Sequence, residues 1–160
     1  MKPNIKEIQL KTGIGDLKFG MLKPEVRQIL GEPEEISEFE SDASEEDLLE
    51  SWHYDTLELT LVFDPIYEDK LVSIGISDPH YKLEGKSVVG MSMEDCEKFL
   101  EKLNIQITDN DDMSSEEEPD LWMIECEESG MLIWISDDEV IEVQINPIVD
   151  NEDNVAWPQR

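Results

Sequence analysis

The chain has 160 residues, with 41 Asp and Glu against 12 Lys and Arg, and a formal net charge of −29 at pH 7. So few bases exclude a protein that grips nucleic-acid phosphates through a basic face and one drawn to anionic lipid by charge. No stretch of about 18 apolar residues occurs, which excludes a membrane-spanning helix. The opening residues Met1–Glu7 lack an apolar h-region, so no signal peptide is expected and the chain reads as cytoplasmic.

Leu, Ile, Val and Phe together number 44, above the roughly one-fifth share below which charged chains stay disordered. The length suits about one domain, large enough to bury a core without staples. Cys96 and Cys126 are too few for a disulfide framework and read as reduced core thiols.

In chain order, Ile5–Leu10 adds an N-terminal strand. Leu17–Leu30 can be laid over Ser87–Leu100: Gly20-Met21 matches Gly90-Met91, and Val26, Ile29 and Leu30 match Cys96, Phe99 and Leu100. Each triplet follows i, i+3, i+4, one face of a helix. Pro24 suits a first turn, and Ser92 with Asp95 suits a cap. The acidic stretches 32–50, with ten acids, and 109–120, with seven, read as solvated loops. After them Trp52-His53-Tyr54 lies over Trp122-Met123-Ile124. Strands follow in each half: Leu57–Phe63 and Leu71–Ile76, then Met131–Ile135 and Val140–Ile145. The expected fold class is therefore α+β, two tandem copies of a helix followed by antiparallel strands, with the helices on one face of the sheet or sheets. The first unit spans 1–80, the second 84–148, and 149–160 is a C-terminal tail.

Gly20-Met21, the helix ending Ile29-Leu30-Gly31-Glu32-Pro33, and Trp52-His53-Tyr54 resemble the superfamily of β-lactamase inhibitor protein and the small lipoprotein of the outer-membrane barrel-assembly machine. Leu22 replaces that pattern's capping Ser or Thr, and the second copy keeps Gly90-Met91-Ser92 but loses the Leu-Gly-x-Pro ending. The resemblance implies no catalytic residues and a role in binding proteins through the sheet surface. The lipidated Cys and the within-unit disulfides of those proteins have no counterpart here. The overall look is that of cytosolic bacterial immunity proteins.

Catalytic chemistry finds little support in the residues. His53 faces away from Trp52 and Tyr54, either at the surface or at a contact, and His80 follows Asp78-Pro79 in a turn. No Cys/His cluster has zinc spacing. Asp109-Asn110-Asp111-Asp112 opens like a calcium loop but lacks its Gly and closing Glu. No enzyme, cofactor or metal is expected.

The expectation is an acidic binding protein for a basic partner, an immunity-type inhibitor of a basic toxin or nuclease domain. A DNA mimic and a housekeeping module remain alternatives. The candidate contacts are Glu34, Glu35, Glu38, Glu40, Asp42, Glu45, Glu46 and Asp47 in the first acidic stretch, and Asp109, Asp111, Asp112, Glu116, Glu117 and Glu118 in the second. His53 joins them. So do Met131 and Ile133, expected with Met123 and Ile135 on a face opposite Trp122 and Trp134 that needs cover. Trp157 either packs back on the body or serves as a tail anchor.

Overall fold

Alternating apolar residues dominate the middle of the chain, and the architecture follows from them. The computed structural model describes residues 6–41, 44–149 and 155–158. Three two-residue strands open it, β1 (Ile8–Gln9), β2 (Gly13–Ile14) and β3 (Leu17–Lys18), paired antiparallel in that order. Helix α1 (Lys23–Leu30) precedes β4 (Glu35–Ser41), β5 (Ser44–Tyr54), β6 (Leu59–Asp64) and β7 (Lys70–Ile76). Helix α2 (Met93–Lys102) precedes β8 (Asp109–Asp112), β9 (Leu121–Cys126), β10 (Met131–Ser136) and β11 (Glu139–Ile145). A short pair, β12 (Ile148–Val149) and β13 (Val155–Ala156), ends the described chain.

Strands β4 to β11 form one antiparallel sheet in the order β4-β5-β6-β7-β11-β10-β9-β8. The join lies between β7 and β11, where Ile74, Gly75 and Ile76 pair with Ile145, Gln144 and Val143. The expected class is corrected accordingly. The fold is predominantly β, one continuous eight-stranded sheet with two helices, rather than α+β with tandem helix-and-strand copies.

The acidic stretches account for the difference, because they hold strands rather than loops. Residues 35–41 and 44–54 pair as a long hairpin, and 109–112 pair with β9. Both β4 and β8 are edge strands, wet on several sides, so acids cost little there, and charge on an edge discourages pairing with another chain.

One face of the sheet is the core. Trp52, Leu61, Phe63, Ile74, Ile124, Ile133, Ile135 and Ile145 are fully buried on it. Both helices cover this face. The Arg27 guanidinium of α1 stands 4.8 Å from the centre of the Trp52 ring, and α2 buries Cys96, Phe99 and Leu100 against the same core. Helix α2 starts as its sequence suggests, with Ser92 Oγ accepting from the Asp95 N–H at 3.1 Å. Helix α1 has no side-chain cap from Leu22; the Glu25 carboxylate instead accepts from the Leu22 N–H. It ends at Gly31, whose φ of 82° favours glycine. No helix among the described residues is long and apolar enough to cross a membrane.

Candidate functional site

The other face of the sheet, opposite both helices, is the open one, bordered at one end by Ile148 of β12 beside Leu132 and Glu125. The pairing registers place one row of side chains across all eight strands of this open face: Glu35, His53, Thr60, Gly75, Gln144, Leu132, Glu125 and Asp109. Beside it run Ser37, Ser51, Val62 and Ser73 in one half and Glu142, Trp134, Met123 and Asp111 in the other. Cross-strand neighbours on one face lie about 5 Å apart, so each row is a continuous surface. Its apolar members include Phe39, Leu49, Val62, Leu132, Trp134 and Met123; Phe39 is 43% exposed and the others half-buried. Carboxylates stand at both edges and one, Glu142, stands near the middle.

Small residues leave a shallow depression of about 300 Å³ in this face, lined by Phe39, Ser51, Thr60, Val62, Ser73, Gly75, Glu142 and Gln144. Gln144 is fixed by donating from Nε2 to Ser73 Oγ at 3.1 Å, which leaves its Oε1 as an acceptor. The Glu142 carboxylate makes no hydrogen bond or ion pair with a described residue, and burial pushes its pKa above the ordinary glutamate value. Strands β4 to β11 contain one Lys and no Arg. That one, Lys70, lies over the Trp157 ring at 5.1 Å.

Neither a family model nor a curated relative matches this sequence. One structural likeness is to a 1.5 Å crystal structure of an extracellular protein containing an SCP domain from Bacillus anthracis str. Ames. The identity is 15% and the TM-score 0.45, over 80% of this chain and 43% of that one, so this chain spans less than half of that protein's length. Two expectations are corrected at this point. The resemblance to β-lactamase inhibitor protein and the assembly-machine lipoprotein is not sustained: strands β4 to β11 form one continuous sheet in a predominantly β fold. The expected cytoplasmic location is withdrawn: the likeness found is to an extracellular protein, and no compartment is assigned to this chain.

The sequence-derived contacts divide. Glu35, Asp109, Asp111 and His53 lie on the open face, with His53 Nε2 hydrogen-bonded to Ser37 Oγ at 2.9 Å. Burial and the neighbouring Asp109 charge raise the Asp111 pKa. Glu38, Glu40 and Asp112 alternate to the helix side, and the Asp112 carboxylate accepts from Ser114 N–H. Glu34 precedes β4 and accepts from the Thr56 hydroxyl, which holds its pKa down. Glu116, Glu117 and Glu118 are exposed in the connection between β8 and β9. Glu45, Glu46 and Asp47 lie on the β5 backbone, but their side chains, and all of Asp42, fall outside the described residues.

Met131 and Ile133 are corrected as contacts: both are buried on the helix side. The pairing of Trp122 with Ile135 puts Trp122 on that face too, while Trp134 and Met123 share the open one. Trp157 packs back, its ring edge-on to Tyr67 with centroids 6.0 Å apart and its Cε3 close above Gly20. Glu142, Gln144, Thr60 and Phe39 were not singled out from the sequence. Among the described residues, no group of three or more His, Cys, Asp or Glu could hold a metal ion.

Proposed function

We propose that this chain is a non-enzymatic acidic binding module that receives a basic protein on the open face of its sheet, in the manner of an immunity-type inhibitor. The observation that carries the reading is the composition of that face, an apolar strip with carboxylates at its middle and both edges and, among the described strands, a single cation, Lys70, at the end of β7 over the Trp157 ring. A net charge of −29 steers a cationic partner and speeds encounter. Phe39, Val62, Trp134 and Met123 then exclude water and slow dissociation, the step in which most affinity differences reside.

The test is capture on the immobilised chain from an extract of the source cells and their medium, washed at about 0.5 M salt, where screening leaves only a few ångströms of reach. One basic protein held through the wash is the expected result. A ladder of basic proteins, all released by salt, would refute the reading.

A second reading, a nucleic-acid mimic, draws on the strands β4 and β8, which set acids in ordered rows. It predicts that the captured protein binds nucleic acid and that duplex DNA displaces it from the chain. A captured protein indifferent to DNA rejects it.

A further inference from the structure

We propose that the depression beside Glu142 is the receptor for a single arginine side chain of the partner, with the Glu142 carboxylate as its counter-ion. The inference rests on the basic-partner reading and goes beyond it by naming the residue type and the place. The acidic edges attract any cation, but the depression is shaped for one.

Its geometry selects the occupant. The floor is made by small groups, Ser51, Ser73 and Gly75, so a side chain can descend between the flanking residues. Gly75 has no side chain where the Glu142 Oε1 sits, 2.8 Å from the position a Cβ would take. The carboxylate therefore leans over the floor instead of standing out in solvent.

Acceptor-bearing side chains line it: the Glu142 carboxylate, the Gln144 amide and the Thr60 hydroxyl. A guanidinium offers five donors in a planar fork and pairs with a carboxylate through two of them. Phe39 is the aromatic side chain that lines the depression, and guanidinium planes stack on aromatic faces. An ammonium would use the charge but neither the fork nor the stacking.

Nothing within the described chain satisfies Glu142 already. Arg27 is placed over Trp52 on the helix side, beside the Glu32 carboxylate at 3.0 Å, and Lys23 reaches Glu50 there at 3.1 Å. Burial of an unpaired carboxylate costs free energy, and an incoming arginine recovers that cost in the complex.

The experiment titrates the ¹⁵N-labelled chain with N-acetyl-arginine amide, following backbone amide shifts, with the citrulline analogue as the uncharged isostere. The expected result is saturable shifts centred on Thr60, Ser73, Gly75 and Gln144 with arginine and none with citrulline. Glu142→Gln weakens this response by about tenfold or more, the usual scale for a charge-assisted pair. Gly75→Ala, which keeps the charge but displaces the carboxylate, weakens it as well.

Shifts centred on Asp109 and Asp111, no shifts at all, or a Glu142→Gln titration equal to wild type would each overturn the inference. A basic protein retained at high salt equally by wild type and Glu142→Gln would sink this inference and leave the basic-partner reading standing. Arginine bound in the depression of a chain that holds no basic protein would sink the reading and leave the site.

Discussion

The Glu142 carboxylate overlies Gly75, with Oε1 2.8 Å from the point a Cβ on that glycine would occupy. The φ of Gly75 lies outside the left-handed region, so alanine fits its backbone, and the atom in the way is the end of a flexible side chain. Gly75→Ala therefore shifts the carboxylate rather than the strand. Stability should change by no more than about 0.5 kcal/mol. The Glu142 pKa should fall back toward the ordinary carboxylate range as the group meets water. A ¹³C-carboxylate titration reads this directly, and an unchanged titration contradicts the placement.

Glu142 also makes stability depend on pH. Its pKa is raised by burial in the folded chain, so the folded state holds the proton more tightly than the unfolded one. This group's contribution therefore worsens as pH rises from the unfolded pKa through the folded one. Glu142→Gln should be slightly more stable than wild type at pH 7, by less than about 0.5 kcal/mol because water still reaches the group. The gain should vanish below pH 4. Thermal melts of both chains across pH 3–7 check the sign.

Glu50 behaves in the opposite sense on the helix side. Burial pulls its pKa up, but hydrogen bonds from the Trp52 indole and Lys23, with the Lys23 and Arg27 charges, outweigh it and hold the pKa down. This contribution is complete above the unfolded carboxylate pKa and is lost as pH falls through the lowered one. Glu50→Gln should cost about 1 kcal/mol at pH 7, and the difference should shrink in acid. A cost that grows in acid would show that the cluster is held by something other than charge.

The two thiols should be inert in the native chain. Both are buried and free. Burial pushes the Cys96 pKa up to about 12 and that of Cys126 to about 11, so almost no thiolate is present at pH 8. Neither should react with a disulfide reagent within an hour at that pH, and both should react at once in denaturant. Fast labelling without denaturant would mean the α2 side of the core opens.

How far the residues announce this fold is clearest in β7 and β11. Their apolar content marks them as strands, and the boundaries expected from the sequence lie within a residue or two. Their faces are not legible, because the pairings shift. The β6–β7 register slips between Val62 and Phe63, and the β10–β11 register between Trp134 and Ile135. At the second slip Val140 points into the core, Ile141 is left 45% exposed, and Glu142 is rephased onto the open face. A strict period of two would have put Val140 and Glu142 together.

The edge strands hid for another reason. Asp109–Asp112 has no apolar residue to carry a period, and its place in the sheet comes from backbone pairing with β9. Candidate contacts chosen by charge alone reached Glu35, Asp109 and Asp111 but not Glu142, whose surroundings are assembled from β6, β7 and β11.

The central claim is that the open face, and not the helix side, is the binding surface. The measurement is the dissociation rate of the captured basic protein from three chains: wild type, Phe39→Ser/Trp134→Ser on the open face, and Glu94→Gln/Glu101→Gln on α2. The account predicts dissociation faster by about tenfold or more from the open-face variant, as expected when central anchors are lost, and an unchanged rate from the α2 variant. Wild-type dissociation from the open-face variant, or faster release from the α2 variant alone, would contradict it.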